Sequence, residues 1–173
     1  MQKETKYAIF KTKWGYFGLA GTEHVLLRTL LPHPRRDIVK SILLKYLPPA
    51  LYDKNYLKTL QQQITAYFDG TYVNFSKDIP LDLNAFSFFT KRVLIACRDV
   101  RLGRTITYAA LADRAGRPAA ARAVGSALAK NPLPLIIPCH RVIRSDGKIG
   151  GFSSPGGSSM KLKLLRHEQQ LSQ

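Results

Sequence analysis

Apolar residues gather early in the chain into three short stretches, Tyr7–Thr12, Tyr16–Ala20 and Val25–Leu31, each rich in aromatic, β-branched or aliphatic side chains. Gly15 and Gly21 separate them, which predicts an antiparallel meander, and Pro32 and Pro34 are expected to end its last strand. Two helices are predicted next, Arg35–Tyr46 and Asn55–Asp69. In the second, Tyr56, Leu60, Ile64 and Phe68 recur at four-residue spacing and Gly70 supplies a C-terminal stop. Thr71–Leu83, with Pro80 and little periodicity, reads as an interdomain connection. Nothing before it looks catalytic.

The pattern changes after Asn84, a candidate N-cap. Phe86, Phe89, Val93 and Cys97 recur every three or four residues, so Cys97 is expected on the buried stripe of a helix. Thr107–Ala115 closes at Gly116, and Ala119–Lys130 is expected to start with Pro118 in its first turn and to end before Pro132. Two short helices joined by a glycine-containing turn make a helix-turn-helix. The chain therefore reads as α+β with two domains, residues 1–83 and 84–173: a small antiparallel sheet with helices, then a mostly helical part.

At about 100° per residue, Ala120, Val124, Ala127 and Leu128 form the inward stripe of the second of those helices. Its opposite face holds Ala121, Arg122, Gly125, Ser126 and Ala129, so one long side chain, Arg122, stands among very short ones. A helix that reads base edges in the major groove needs several long polar side chains. Small residues instead let the backbone approach phosphates and a narrow groove, with Arg122 as a single probe of the base stack. The alternative is tight packing on another helix. A glycine inside a helix costs about 1 kcal/mol relative to alanine, which close approach at Gly125 would explain.

Charge supports an anionic partner. The 173 residues carry 27 Lys+Arg against 11 Asp+Glu, a formal net charge of +16. Residues 1–84 hold 12 basic and 7 acidic residues and residues 85–173 hold 15 and 4, so most of the excess lies with the helix-turn-helix. A hydrophobic fraction of 45% with 10% aromatics excludes a disordered basic tail. No apolar run reaches the ~18 residues of a membrane span, and Met1–Phe10 lacks the apolar stretch of a signal peptide. A soluble, cytoplasmic protein is expected, nucleoid-associated if the source is prokaryotic. The two cysteines, Cys97 and Cys139, have no metal-ligand spacing and the four histidines are scattered, so no metal is expected.

Cys139 lies in Leu133-Pro134-Leu135-Ile136-Ile137-Pro138-Cys139-His140-Arg141-Val142-Ile143, where Pro138 holds it in a rigid, non-helical setting. A thiolate is the reactive form of a thiol, and a neighbouring imidazole or cation favours it. One Cys beside one His is a weak signal. The longer string, Asn131-Pro132 followed by Ile136-Ile137-Pro138-Cys139-His140-Arg141-Val142, resembles the active-site signature of the O6-alkylguanine-DNA alkyltransferases, also called methylated-DNA–protein-cysteine methyltransferases. Similar features run from Phe86 to Glu168: Ile106-Thr107-Tyr108, then Ala120-Ala121-Arg122-Ala123-Val124-Gly125, Gly147 to Ser153, and a terminal helix with His167-Glu168. The N-terminal half matches only in length and in its strand-then-helix order.

The resemblance implies a ribonuclease H-like N-terminal domain and a winged helix-turn-helix C-terminal domain. It implies that Cys139 accepts the alkyl group from O6 of guanine, and from O4-alkylthymine, once and irreversibly. His140 is implied as the base, through a water, with Glu168 orienting it in the manner of a triad and Asn131 bracing the turn. Independently, Glu168 lies four residues beyond Leu164 and three beyond Leu165, on an apolar face where a carboxylate needs a partner. Arg122 is implied as the finger that fills the gap left by the flipped base, with Ala121, Gly125 and Ser126 on the DNA face. Tyr108 is implied to promote flipping and to hydrogen-bond the base, and Val142, Phe152 and Ser153 to line its pocket.

Phe152 departs from the family, which commonly has tyrosine there, and the Ser153–Ser159 loop is slightly long. No cofactor is implied, and no GxGxxG loop joins a strand to a helix. The implied partner is double-stranded DNA carrying alkylated guanine, met through its minor groove by a monomer, and from the length of 173 residues no fused regulatory domain is expected. Two rival readings are a lesion-binding helix-turn-helix protein without an acceptor thiol, which Cys139 opposes, and a transcription regulator, which the short side chains around Arg122 oppose.

Overall fold

The computed structural model describes residues 4–172, and the chain divides into two compact units, the first ending at Asp82 and the second beginning at Leu83. In the first, β1 (Thr5–Thr12), β2 (Gly15–Gly21) and β3 (Leu26–His33) form the expected antiparallel meander. A strand that the sequence reading missed, β4 (Ala50–Tyr52), pairs parallel to β1, giving the order β3-β2-β1-β4. Helices cover both faces. Tyr7, Ile9, Ala20 and Leu30 pack with Val39 and Leu43 of α1 (Arg36–Leu44). A Cβ on Gly18 would come within 2.9 Å of Val39 and Leu43, so glycine there is what lets α1 approach the sheet. On the other face Phe17 meets Phe68 of α2 (Lys58–Asp69), ring centroids 6.1 Å apart.

Pro32 does not end β3, which continues to His33; β3 is an edge strand, where a missing N–H is tolerated. The helices are shorter than predicted. Tyr46 has φ +68°, beyond the end of α1, and Leu57 has φ +49°, immediately before α2.

In the second unit α3 (Phe88–Arg98) is capped by Ser87, whose hydroxyl accepts from the Thr90 N–H, rather than by Asn84. Cys97 is fully buried on its inner stripe. A two-residue strand, β5 (Ile106–Thr107), leads into α4 (Tyr108–Arg114), capped by Thr107. The turn at Gly116 (φ +76°) leads to α5 (Ala121–Leu128), and these two helices form the helix-turn-helix. Pro118 stands outside α5, because Ala119 adopts φ +63° and the helix starts only at Ala121. Val124, Ala127 and Leu128 are its buried residues. A single 3-10 turn, Cys139–Arg141, precedes β6 (Val142–Ile143), which pairs parallel to β5, and α6 (Gly157–Leu171) packs on that turn. Among the described residues no helix is long and apolar enough to cross a membrane.

Candidate active site and nucleic-acid face

Between α5 and the 3-10 turn the chain folds back on itself, and Asn131 ties the segment together. Its Oδ1 accepts from the Leu133 N–H (3.0 Å), while Nδ2 donates to the Ile137 carbonyl (2.9 Å) and to Cys139 Sγ (3.2 Å). The apolar run from Leu133 to Ile137 is buried and anchors this turn in the core. Cys139 therefore reaches the surface of an open cavity of about 990 Å3 from a rigid support. Burial pushes its thiol up, and the Asn131 hydrogen bond and the Lys161 charge pull the other way without overcoming it. At neutral pH the group rests as a thiol and needs a base.

His140, adjacent in sequence, is fully buried. Its Nε2 lies 2.7 Å from Glu168 Oε1, and its Nδ1 is buried without a hydrogen-bond partner. Burial lowers its basicity more than the Glu168 charge raises it, with Arg141 and Lys161 lowering it further, so the imidazole is neutral. Burial alone would raise the Glu168 carboxyl, but the charges and hydrogen bonds of His140 and Arg141 hold it well below the ordinary carboxylate range. With His140 neutral, the permanent counter-charge is that of Arg141, which grips the carboxylate with Nε on Oε2 and Nη2 on Oε1, both at 2.9 Å. The Gly103 N–H adds a longer contact to Oε2 at 3.4 Å, and Arg141 Nη1 donates to the Val100 carbonyl at 2.5 Å. An ionised carboxylate only accepts, so Nε2 carries the ring proton and Nδ1 presents a free lone pair.

The cavity brings Cys139 together with Tyr108, Phe152 and Ser153 and with Ala121, Arg122 and Gly125 of α5. Val142 is fully buried in β6 and is not among its lining residues; Ser126 also lies off the cavity, its exposed hydroxyl donating to the Arg122 carbonyl at 3.3 Å. A Cβ on Gly125 would meet only Tyr108, at 3.9 Å, so packing within the unit does not require glycine there. Arg122 is exposed.

Sequence reasoning missed two cations. Arg141, the cation next but one to Cys139 in sequence, holds Glu168 with its guanidinium. Lys161 was not singled out, yet it is fully buried, donating to Tyr108 Oη (3.3 Å) and the Gly151 carbonyl (3.2 Å). It lies on the stripe of α6 that also buries Leu164 and Glu168, the signal that would have found it. Among the described residues no group of three or more His, Cys, Asp and Glu side chains is placed to hold a metal ion.

Known proteins share this arrangement of elements. The family model described as "6-O-methylguanine DNA methyltransferase, DNA binding domain" matches residues 88–170. The methylated-DNA–protein-cysteine methyltransferase of Mus musculus is 53% identical over 81 residues, 46% of this chain and 38% of that protein. Its counterpart in Methanothermobacter thermautotrophicus is 41% identical over 112 residues, 65% of this chain and 61% of that protein. The matched segments thus span less than two thirds of either relative. The likeness to solved structures extends further. The Mycobacterium tuberculosis O6-methylguanine methyltransferase is 32% identical with a TM-score of 0.77, over 95% of this chain and 93% of that one. A structure of M. tuberculosis OGT in complex with DNA gives 32% and 0.80 over 96% and 94%. With both halves of the chain included in the structural match and the cysteine signature at the cavity, the chain belongs to the methylated-DNA–protein-cysteine methyltransferase family.

Proposed function

We propose that this protein repairs DNA by moving the alkyl group of O6-alkylguanine, and of O4-alkylthymine, onto Cys139. The observation that carries the reading is Cys139 at the wall of an open cavity, with Asn131 on its sulfur and a buried His140–Glu168–Arg141 chain beside it. His140 Nδ1 takes the thiol proton through a water, and Glu168 holds the ring in the tautomer that leaves Nδ1 free. The thiolate attacks the alkyl carbon. A C–S bond forms as the C–O6 bond breaks, and guanine leaves with the bonding pair. No electron or group donor besides the lesion is needed. A thioether is not readily hydrolysed, so each molecule acts once.

The target atom is out of line for the sulfur while the base is stacked, so the nucleotide is flipped into the cavity. The smooth face of α5 supports a minor-groove approach: Ala121, Gly125 and Ser126 keep the helix surface low, and Arg122 enters the gap left by the base. Gly125 fits this reading because nothing in its own unit needs the space. Tyr108, Phe152 and Ser153 form the base pocket, with the backbone near Val142 behind it. The +16 charge holds the protein on phosphates without choosing a sequence. It acts as a monomer, in the cytoplasm or on the nucleoid.

A duplex bearing one labelled O6-methylguanine tests the reading. Label should pass to the wild-type protein in equimolar amount and to Cys139→Ala not at all. Tight binding of the lesion without transfer would establish the lesion-binding reading instead.

A further inference from the structure

The first unit carries its charge unevenly. Residues 28–52 hold five basic side chains, Arg28, Arg35, Arg36, Lys40 and Lys45, against one acid, Asp37, whereas the rest of residues 1–84 holds seven basic and six acidic residues. Arg35 covers Asp37 at 2.5 Å, and among the described residues no carboxylate lies within ion-pair distance of Arg36, Lys40 or Lys45. The same stretch exposes two large rings, Tyr46 (84%) and Tyr52 (50%).

The sheet register brings these groups into one line. Tyr52, Tyr7, Ala20 and Arg28 are successive partners across β4, β1, β2 and β3, and α1 packs over that row through Val39 and Leu43. Arg36 Cζ stands 5.3 Å from the Tyr52 ring centroid, Lys40 Nζ 6.0 Å from that of Tyr7, and Lys45 Nζ 4.9 Å from that of Tyr46. Arg28 donates to the Lys45 carbonyl and so fixes the end of the helix beside Tyr46. At 1.5 Å per residue the helix from Arg36 to Lys45 covers about 13 Å, the length of about four phosphates on one stacked strand.

Tyr46 adds strain to the fold and little packing. It follows Lys45, the C-terminal cap of α1, at φ +68°, where glycine is the ordinary residue because a side chain crowds the backbone in that conformation. Its ring nevertheless stands in water with a cation beside it. Strain retained for an exposed ring is explained by what the ring binds.

We infer that the face formed by α1 and β4 binds single-stranded nucleic acid, with phosphates on Arg36, Lys40 and Lys45 and unpaired bases stacked on Tyr46 and Tyr52. The unpaired cations select a polyanion. The rings select a single strand, because a duplex keeps its base faces inside the stack. The face of α5 assigned to duplex DNA presents no ring, so the two surfaces differ in what they hold. The inference stands apart from the alkyl-transfer reading.

Crosslinking locates the site on the wild-type full chain. A dT oligonucleotide of about 12 nucleotides carrying 5-iodouracil should attach on irradiation to Tyr46 or Tyr52, as mapped by peptide mass. Attachment confined to residues 83–173 would overturn the inference. Fluorescence anisotropy then compares the same oligonucleotide with an undamaged duplex of equal length. Tyr46→Gly should weaken single-strand binding about 5-fold or more and leave duplex affinity within about twofold. It should do so with no loss of melting temperature, because glycine suits that backbone. Arg36→Gln together with Lys40→Gln should weaken single-strand binding and make its logarithmic salt slope shallower by about 1.4, for two phosphates released. Unchanged single-strand affinity in Tyr46→Gly, an equal loss on the duplex, or displacement of the oligonucleotide by polyglutamate as readily as by unlabelled dT would overturn the inference.

Discussion

Glu168 stands between two cationic or potentially cationic side chains, and removing its charge should have opposite consequences from removing one of them. In Glu168→Gln the shape is kept, but Arg141, only 6% exposed, loses the carboxylate that it grips through two bonds of 2.9 Å. Breaking a buried pair from one side costs about 3–5 kcal/mol. At about 2–4 °C per kcal/mol for a chain of this size, the melting temperature should fall by roughly 6–20 °C. His140 also loses the one group that raises its basicity, so its pKa should fall further below the ordinary histidine value. In Arg141→Met the carboxylate remains without its guanidinium partner, and the His140 pKa should rise. Long-range 1H–15N correlation of the His140 ring between pH 5 and 8 reads both shifts, and thermal unfolding reads the stability. Shifts in the same direction, or a loss below about 1 kcal/mol in Glu168→Gln, would refute the argument, since an unpaired buried charge cannot cost so little.

Other expectations follow from the same geometry. Acidification should destabilise the fold in two stages: His140 has a folded pKa below its unfolded one, so the unfolded chain takes up the proton first and stability drops as pH falls below about 6.5. Glu168 is likewise depressed, and its contribution, full above its unfolded value near 4.3, is lost as pH falls further through its folded value. Urea unfolding from pH 8 to 3 checks both, and Glu168→Gln should flatten the lower stage. Asn131→Ala leaves the Leu133 N–H without this partner, at about 1–3 kcal/mol if it stays unsatisfied, while the Ile137 carbonyl keeps the Cys139 N–H, and it removes a hydrogen bond that lowers the Cys139 pKa. Its transfer rate should therefore peak at higher pH than that of the wild type. Arg122→Ala should slow repair of duplex DNA while leaving reaction with the free base nearly unchanged; equal losses on both would reject the finger role.

The sequence carried the elements whose signals are local. β1 and β2 lie within two residues of the predicted stretches, because glycine turns and a run of apolar residues mark them directly. β4 was illegible: three residues, partly exposed, following Pro48 and Pro49, owe their conformation to pairing with β1. The cap of α3 fell on Ser87 rather than Asn84, since both residue types cap helices and only the packing of Val93 and Cys97 decides the start. Glu168 was legible from its place beside Leu164 and Leu165. Arg141 was not, because the direction of a side chain on a single 3-10 turn depends on α6, contributed from later in the sequence. Lys161 escaped because a lysine on a helix stripe normally carries its amine out to water, and here Tyr108 and Gly151 enclose it.

Intact-mass spectrometry of the wild-type protein after exposure to excess O6-benzylguanine bears on the central claim most directly. The account predicts one added benzyl group per chain, mapped to Cys139 by peptide sequencing, absent in Cys139→Ala, with no further consumption of the reagent. A wild-type protein that stays unmodified, or one modified at Cys97 instead, would contradict it.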